Sequence, residues 1–219
     1  GPKELVIIND GDKPLAPYFN DPTIKELWLH KDADRTLGDL RNLSLKTATG
    51  DWCIHWDDDD WSHPTRLAHQ MAAREPEHCV LLGWQIRVLS DIGNGVSSAW
   101  LAEDGYGHSS TLMYPRLPHL TYLPEKIHED SIFWLSHFSG TRMQPIQNKP
   151  GSTCGPSLHV RFFHDNNTSP LRDILGGYEH PDHMPKDRRI GSDSPYMSVV
   201  MQAIADYEAQ VVNEKIANK

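Results

Sequence analysis

Residues 51–61 read DWCIHWDDDDW, a short apolar segment that runs straight into four consecutive aspartates. Four like charges in a row repel one another, so the run is either a solvated loop or the seat of something cationic. In both cases the apolar segment has to end where its last residues face outward. The chain is thereby constrained to a fold that brings the end of a buried strand to an open edge.

The surrounding pattern supplies such a fold. ELVIIN (4–9) is a continuous apolar run with β-branched residues, the mark of a strand buried on both faces, and DGD after it is a turn. KELWLH (25–30) reads as a second strand. TLGDLRNLSLKTATG (36–50) opens with Thr36 and Asp39 spaced as a capping box, carries Leu37, Leu40, Ser44 and Ala48 on one helical face, and stops at Gly50. After the strand at 51–56, Ser62 or His63 can cap a helix with Pro64 in its first turn and an apolar face of Leu67 and Met71. HCVLLGWQIRVL (78–89) is a long strand, or two joined at Gly83. From about residue 91 the pattern loosens into Gly-, Ser- and His-rich loops. A helix with Ile127, Trp134, Leu135 and Phe138 on its apolar side follows at 125–138, and a final strand running into a polar turn at 157–169. The order strand, strand, helix, strand, helix, strand predicts an α/β domain with a mostly parallel sheet flanked by helices. The expected division is 1–169 for this domain and 170–219 for an irregular stretch ending in an amphipathic helix. That helix carries Met197, Val200, Met201, Ile204, Val211 and Val212, and it is expected to dock on its own domain first and on a second copy, as a homodimer, second.

Composition excludes several classes. A net charge of −9 argues against a broad nucleic-acid-binding surface. No apolar run is long enough to span a bilayer, and no signal peptide is visible. Cys53, Cys79 and Cys154 share no metal-ligand spacing and read as reduced thiols, so a cytoplasmic protein is expected. Gly1-Pro2 reads as the scar of a cleaved tag.

In open α/β sheets ligands bind beyond the carboxyl ends of the strands. Asp10 and the aspartate run both fall at such ends. Spaced Asp-x-Asp at a strand's edge, the run suits Mn²⁺ or Mg²⁺, hard cations that take carboxylate oxygens and leave positions for substrate phosphates.

The ordered set IINDGD (7–12), LRNLSLKTATGDW (40–52), CIHWDDDDW (53–61), HEDSIFW (128–134) and VRFFHDNNTS (160–169) resembles the family 2 glycosyltransferases of the GT-A fold. The resemblance covers residues 4 to about 169 and implies a metal-dependent, inverting transfer of a sugar. The donor would be a UDP- or GDP-sugar and the acceptor the hydroxyl of a saccharide, glycoconjugate or other compound. Asp10 would accept a hydrogen bond from the base, or serve only as a turn former; Arg41 would contact base or phosphate, or lie on the helix surface. Asp59 would bind the metal and Asp57 the ribose or, through water, the metal. Asp58 falls with the nucleotide-sugar residues, although strand alternation would make Asp58 and Asp60 spacers turned to the opposite side. His164, beside Arg161 and Asn166, would complete the metal site or stay structural. Asp130 is the candidate base and Glu129 its rival, unless both simply favour the positive end of a helix. Trp56 and Trp61 are core residues first and sugar-stacking platforms second.

The family normally places a further strand and helix ahead of the IINDGD element, and the tail beyond residue 170 matches none of its patterns. Two other classes share the metal-binding chemistry: a Mg²⁺-dependent nucleotide-diphosphate hydrolase, and a non-catalytic cation-dependent module that binds sugars or nucleotides.

Overall fold

The computed structural model describes residues 1–15, 17, 19–91, 95–125, 128–138, 143–146, 155–163 and 188–217. Ile127, Cys154, His164 and Asn166, and most of the stretch expected to be irregular, lie outside these residues. The chain divides into two compact units, one of Gly1–His55, Glu75–Cys79 and Met113–Met143, the other of Trp56–Arg74, Val80–Leu112 and Gln144–Lys219. In chain order the elements are β1 (Leu5–Asn9), β2 (Ile24–Trp28), α1 (Leu37–Thr47), β3 (Trp52–Ile54), β4 (Trp61–Ser62) and α2 (Arg66–Ala72). There follow β5 (Cys79–Asp91), β6 (Gly95–Pro115), α3 (Glu129–Phe138), β7 (Met143–Ile146), β8 (His159–Phe163) and α4 (Met197–Ala217).

In the first unit β1 and β2 pair in parallel, Leu5 opposite Ile24 and Asn9 opposite Trp28. They form a two-stranded sheet with α1 packed on β1. The expected burial of β1 on both faces is therefore not met: Leu5 is exposed and the rest of the strand half-buried, because a two-stranded sheet offers too little neighbouring surface. Glu4 fastens the start of β1 to the end of α1. Its carboxylate accepts the N–H groups of Thr49 and Gly50 at 2.6 and 2.7 Å, and it pairs with Lys25.

α1 starts as its sequence predicts. The Asp39 N–H donates to the Thr36 hydroxyl at 3.1 Å, and the Asp39 carboxylate accepts the Thr36 N–H at 2.9 Å. Two further residues bind the helix to the segment before α3. Asn42 brackets the Tyr122 backbone, donating to its carbonyl at 2.9 Å and accepting its N–H at 2.8 Å. Gly38 is buried so tightly that a Cβ there would sit 1.9 Å from the Leu123 carbonyl oxygen. In α3 the buried arc is Glu129, Phe133, Trp134 and Phe138. Leu135, expected inside, is 52% exposed because it lies beyond that arc, and Phe133 takes its place, stacked on Tyr122 at 3.9 Å. β3 pairs antiparallel with Met113–Pro115 of β6.

In the second unit the strand order is β6-β5-β8-β4, with β7 also on β5. β5 and β8 run parallel, and β4 joins β8 antiparallel. The pairings across the chain are thus mixed rather than mostly parallel. The residues expected to be loops beyond 91 form β6, neighbour of β5. Strands joined by so short a link cannot make the crossover that parallel neighbours require. Gly107 (φ 91°) explains why β6 escapes a propensity reading: a Cβ there would lie 2.4 Å from the Leu81 Cβ. Thr111 also replaces a ladder partner, its hydroxyl accepting the Leu82 N–H at 2.9 Å.

α2 is capped at Thr65 without a side-chain bond, rather than at Ser62 or His63. Its buried residues are Arg66 and Gln70, not Leu67 and Met71. α4 docks on its own unit, with Val200 and Ala203 buried among Ile86, Val88, Ala99, Leu101, Val160, Phe162 and Ile190. Tyr207 stacks on Phe162 at 4.6 Å, and the Trp61 indole donates to Asp206 at 2.8 Å. Met201, expected on the apolar face, is exposed. Among the described residues no helix is long and apolar enough to cross a membrane.

Candidate functional site

Asp10, Arg41, Glu129 and Asp130 fall in the first unit, and Asp57, Asp58 and Asp59 in the second. After β1 the turn is built by Asn9. Its side chain accepts the Gly11 N–H at 2.9 Å and donates to the Lys13 carbonyl and to Glu26. Turn formation thus belongs to Asn9, and the half-buried Asp10 carboxylate takes no part in those bonds.

Arg41 and Glu129 meet across 88 residues of sequence: Nε donates to Oε1 at 2.9 Å, with side chains 19% and 4% exposed. Burial, with the charge of Asp130 beside it, raises the Glu129 carboxyl above its usual range, and the Arg41 guanidinium opposes the shift. Asp130 is set differently. It is half-buried, and its Oδ1 accepts the N–H of Ser131 at 2.6 Å and the Ser131 hydroxyl at 3.3 Å. His128, just ahead of the pair, holds φ at 65°, a costly left-handed conformation for a side chain with a Cβ. The two acidic residues that the sequence leaves as rivals are thus separated by environment. Glu129 is locked in an ion pair, and Asp130 is the more accessible.

The aspartate run does not continue as a strand. Asp58 and Asp59 lie in a turn, with Asp58 exposed and Asp57 and Asp59 half-buried. The alternation expected of Asp58 and Asp60 is lost with the strand geometry. Asp60 instead points inward, its side chain 3% exposed, and its Oδ1 accepts the Phe162 N–H of β8 at 3.1 Å. Its Oδ2 lies 3.3 Å from Nε2 of His159. Burial pushes the Asp60 carboxyl up to about 6, against the pull of Arg161, the Phe162 N–H and Arg66. Burial, with Arg66 nearby, holds His159 well below the usual imidazole range, so it is neutral.

Arg66 is what lets so many carboxylates sit beside one another. It is fully buried, donating to Gln70 at 3.0 Å and to Ser62 at 2.8 Å, with Asp57 and Asp60 in Coulombic reach. Trp56 is 47% exposed rather than a core residue, and its ring lies 4.8 Å from the Arg66 guanidinium carbon. Neither Arg66 nor Asp60 was singled out in the sequence as a functional residue. The signal available was the spacing of Arg66 and Gln70, one helical turn apart directly after the run. Among the described residues no three His, Cys, Asp or Glu side chains gather to hold a metal ion by themselves. The carboxylates of Asp57 and Asp59 fit a cation that takes one or two protein oxygens and fills its other positions from substrate. The Cys53 and Cys79 thiols are pushed up by burial to about 11 and about 12, which leaves them unreactive.

The mixed α/β fold is similar to that of a glycosyltransferase. The particular likeness is to TarS of S. aureus. The crystal structure of TarS matches with a TM-score of 0.53 and 18% identity over 74% of this chain and 32% of that one. TarS 1–349 in complex with UDP-GlcNAc matches with a TM-score of 0.50 and 17% identity, over 75% of this chain and 50% of that one. The chain therefore spans 32% to 50% of the length of these structures. No family model matches the sequence, and neither does any curated protein.

Proposed function

We propose that the chain carries the catalytic machinery of a metal-dependent, inverting glycosyltransferase of the GT-A type, close to family 2 in its motifs. The observation that carries this reading is the division of labour at the start of α3, where Glu129 is buried against Arg41 and Asp130 stays accessible. An inverting transfer needs one carboxylate free to take a proton. In the proposed reaction the acceptor oxygen forms a bond to the anomeric carbon from the face opposite the leaving group, and the Asp130 carboxylate takes the hydroxyl proton. The bond to the diphosphate breaks, and its electron pair leaves on the diphosphate oxygen. Asp57 and Asp59 would hold Mn²⁺ or Mg²⁺, which neutralises charge on the departing diphosphate when bound. Asp10, Arg41 and Asp58 are proposed for the nucleotide sugar, with Asp57 beside its metal role. The fold likeness to TarS, one structure of which contains UDP-GlcNAc, makes UDP-GlcNAc the first donor to try.

The test is release of nucleoside diphosphate from a panel of sugar nucleotides with Mn²⁺, with and without candidate acceptors. Asp130→Asn should keep nucleotide binding and lose roughly 10²–10⁴-fold in turnover, the contribution of a positioned base. Undiminished turnover in that variant would remove Asp130 from the role. Diphosphate release that no acceptor accelerates would favour the hydrolase reading, and retention at the anomeric carbon would contradict single displacement.

A further inference from the structure

Asn42, Leu45 and Lys46 stand at i, i+3 and i+4 on one face of α1. Together with the segment 116–121 that follows β6, they line a cavity of about 240 Å³ that lies wholly within the first unit. Backbone contacts fix its two walls to each other. Asn42 brackets the Tyr122 backbone, and Gly38 sits against the Leu123 carbonyl.

The polar side chains of the lining are of two kinds. Asn42 and Thr121 serve the walls themselves: the Thr121 hydroxyl donates to Asn42 Oδ1 at 3.2 Å, and both amide heteroatoms of Asn42 bond to Tyr122. Lys46 and Arg116 are set differently. Nε of Arg116 donates to the Gly50 carbonyl at 2.7 Å, which positions the guanidinium and leaves its charge uncompensated. Among the described residues the Lys46 ammonium makes no hydrogen bond, and neither cation makes an ion pair. Two carboxylates belong to the same neighbourhood. Glu4 is taken by Lys25 and by the N–H groups of Thr49 and Gly50. Asp51 meets Arg116 through its backbone carbonyl, which accepts the Arg116 N–H at 2.8 Å.

Two cations on one small cavity repel each other, and an anion between them offsets that repulsion. Both are exposed, so a ligand reaches them from solvent. A guanidinium fork and an ammonium suit phosphate or carboxylate oxygens. Leu45, Leu117 and Leu120 offer the same ligand apolar surface for a carbon skeleton. We propose that Lys46 and Arg116 form a binding site for a small organic dianion, a phosphate monoester or a dicarboxylate, in the cavity between α1 and the segment 116–121. None of the residues proposed for sugar transfer lines it, so the site stands apart from that reading.

The experiment is calorimetric titration of phenyl phosphate and of phthalate into the full chain, in EDTA and at low salt. The expected result is saturable binding of at least one of them, about tenfold weaker in Lys46→Gln and weaker still in Lys46→Glu, the loss of a charge-assisted hydrogen bond and then a reversed charge. Lys46→Arg keeps the charge and should keep the binding. Arg116→Gln should weaken binding as much as Lys46→Gln, but it also removes the bond to Gly50. Lys46→Gln is therefore the deciding variant: its ammonium supports nothing in the fold, and its melting temperature should equal the parent's. The tighter of the two ligands names the head group, phosphate or paired carboxylates. Benzyl alcohol, a similar ring without charge, should not bind. Absence of saturable binding for both anions would overturn the site, as would binding that Lys46→Gln leaves unchanged or that benzyl alcohol equals.

Discussion

Glu129 and Asp130 are neighbours of the same chemistry, and their surroundings give them different work. Glu129→Gln removes the carboxylate that pairs with a guanidinium only 19% exposed. It should destabilise the protein by about 1–3 kcal/mol, the loss of a charge-assisted hydrogen bond in a largely buried setting, while costing far less turnover than Asp130→Asn. Urea denaturation and a donor-hydrolysis assay on the two variants separate the roles; equal stability of Glu129→Gln and parent would show the ion pair to be dispensable. Glu4 offers a second reading at this scale. Hydrogen bonds from Lys25 and from the Thr49 backbone lower its carboxyl from 4.5 to about 2. A depressed carboxylate contributes stability that is present above its unfolded value and lost as pH falls through the folded one, here between pH 4.5 and about 2. Glu4→Gln should therefore flatten the acid limb of the stability profile in that window. An acid limb identical to the parent's would mean that other carboxylates control it.

At the scale of elements, α1 is held by what it touches as much as by its own cap. Its hydrophobic positions are half-buried, and the residue pressed closest to another segment is Gly38. Gly38→Ala would push a methyl into the Leu123 backbone, which cannot swing aside as a side chain would. The expected cost is about 1–3 kcal/mol, read as a lower melting temperature, despite the better helix propensity of alanine. A melting temperature at or above the parent's would show that the 121–125 segment yields freely. α2 inverts the usual pattern: its buried face is Arg66 and Gln70, held through hydrogen bonds to Ser62 and to the Thr111 carbonyl at 2.6 Å. The helix serves less to bury apolar area than to place a positive charge beneath the aspartates.

For the whole molecule, the decisive prediction concerns the cation. Asp60 is turned inward with Arg66 buried nearby, whereas Asp58 is exposed and Asp57 and Asp59 are half-buried. Nucleotide affinity should then depend on divalent metal. UDP binding measured by calorimetry should be at least about tenfold tighter in Mn²⁺ than in EDTA, a difference of about 1.4 kcal/mol. Asp59→Ala should abolish the difference with little loss of stability. Equal affinity in the two buffers would remove the metal from the reading altogether.

Signals carried within a few residues were legible without coordinates. The capping box of Thr36 and Asp39, the strands β1, β2, β3, β5 and β8 and the presence of α4 each follow from local propensity and periodicity, whereas α3 starts at Glu129 and not at the expected 125. The candidate carboxylates were legible too, because an aspartate run at the end of an apolar segment is a local pattern. Only the tertiary structure decided which of them face inward. Asp60 is buried because β8, a hundred residues on, presents the Phe162 N–H to it, and Glu129 because Arg41 reaches it from α1. β6 is a strand despite its glycines because it pairs with β5, and Gly107 sits where Leu81 leaves no room for a side chain. Gly38 and Arg66 mean nothing in isolation, since close approach and buried charge are properties of a neighbourhood. Local order is set by covalent geometry and hydrophobic period, which each stretch of sequence carries with it. Burial and electrostatics depend on partners that only the folded chain assembles.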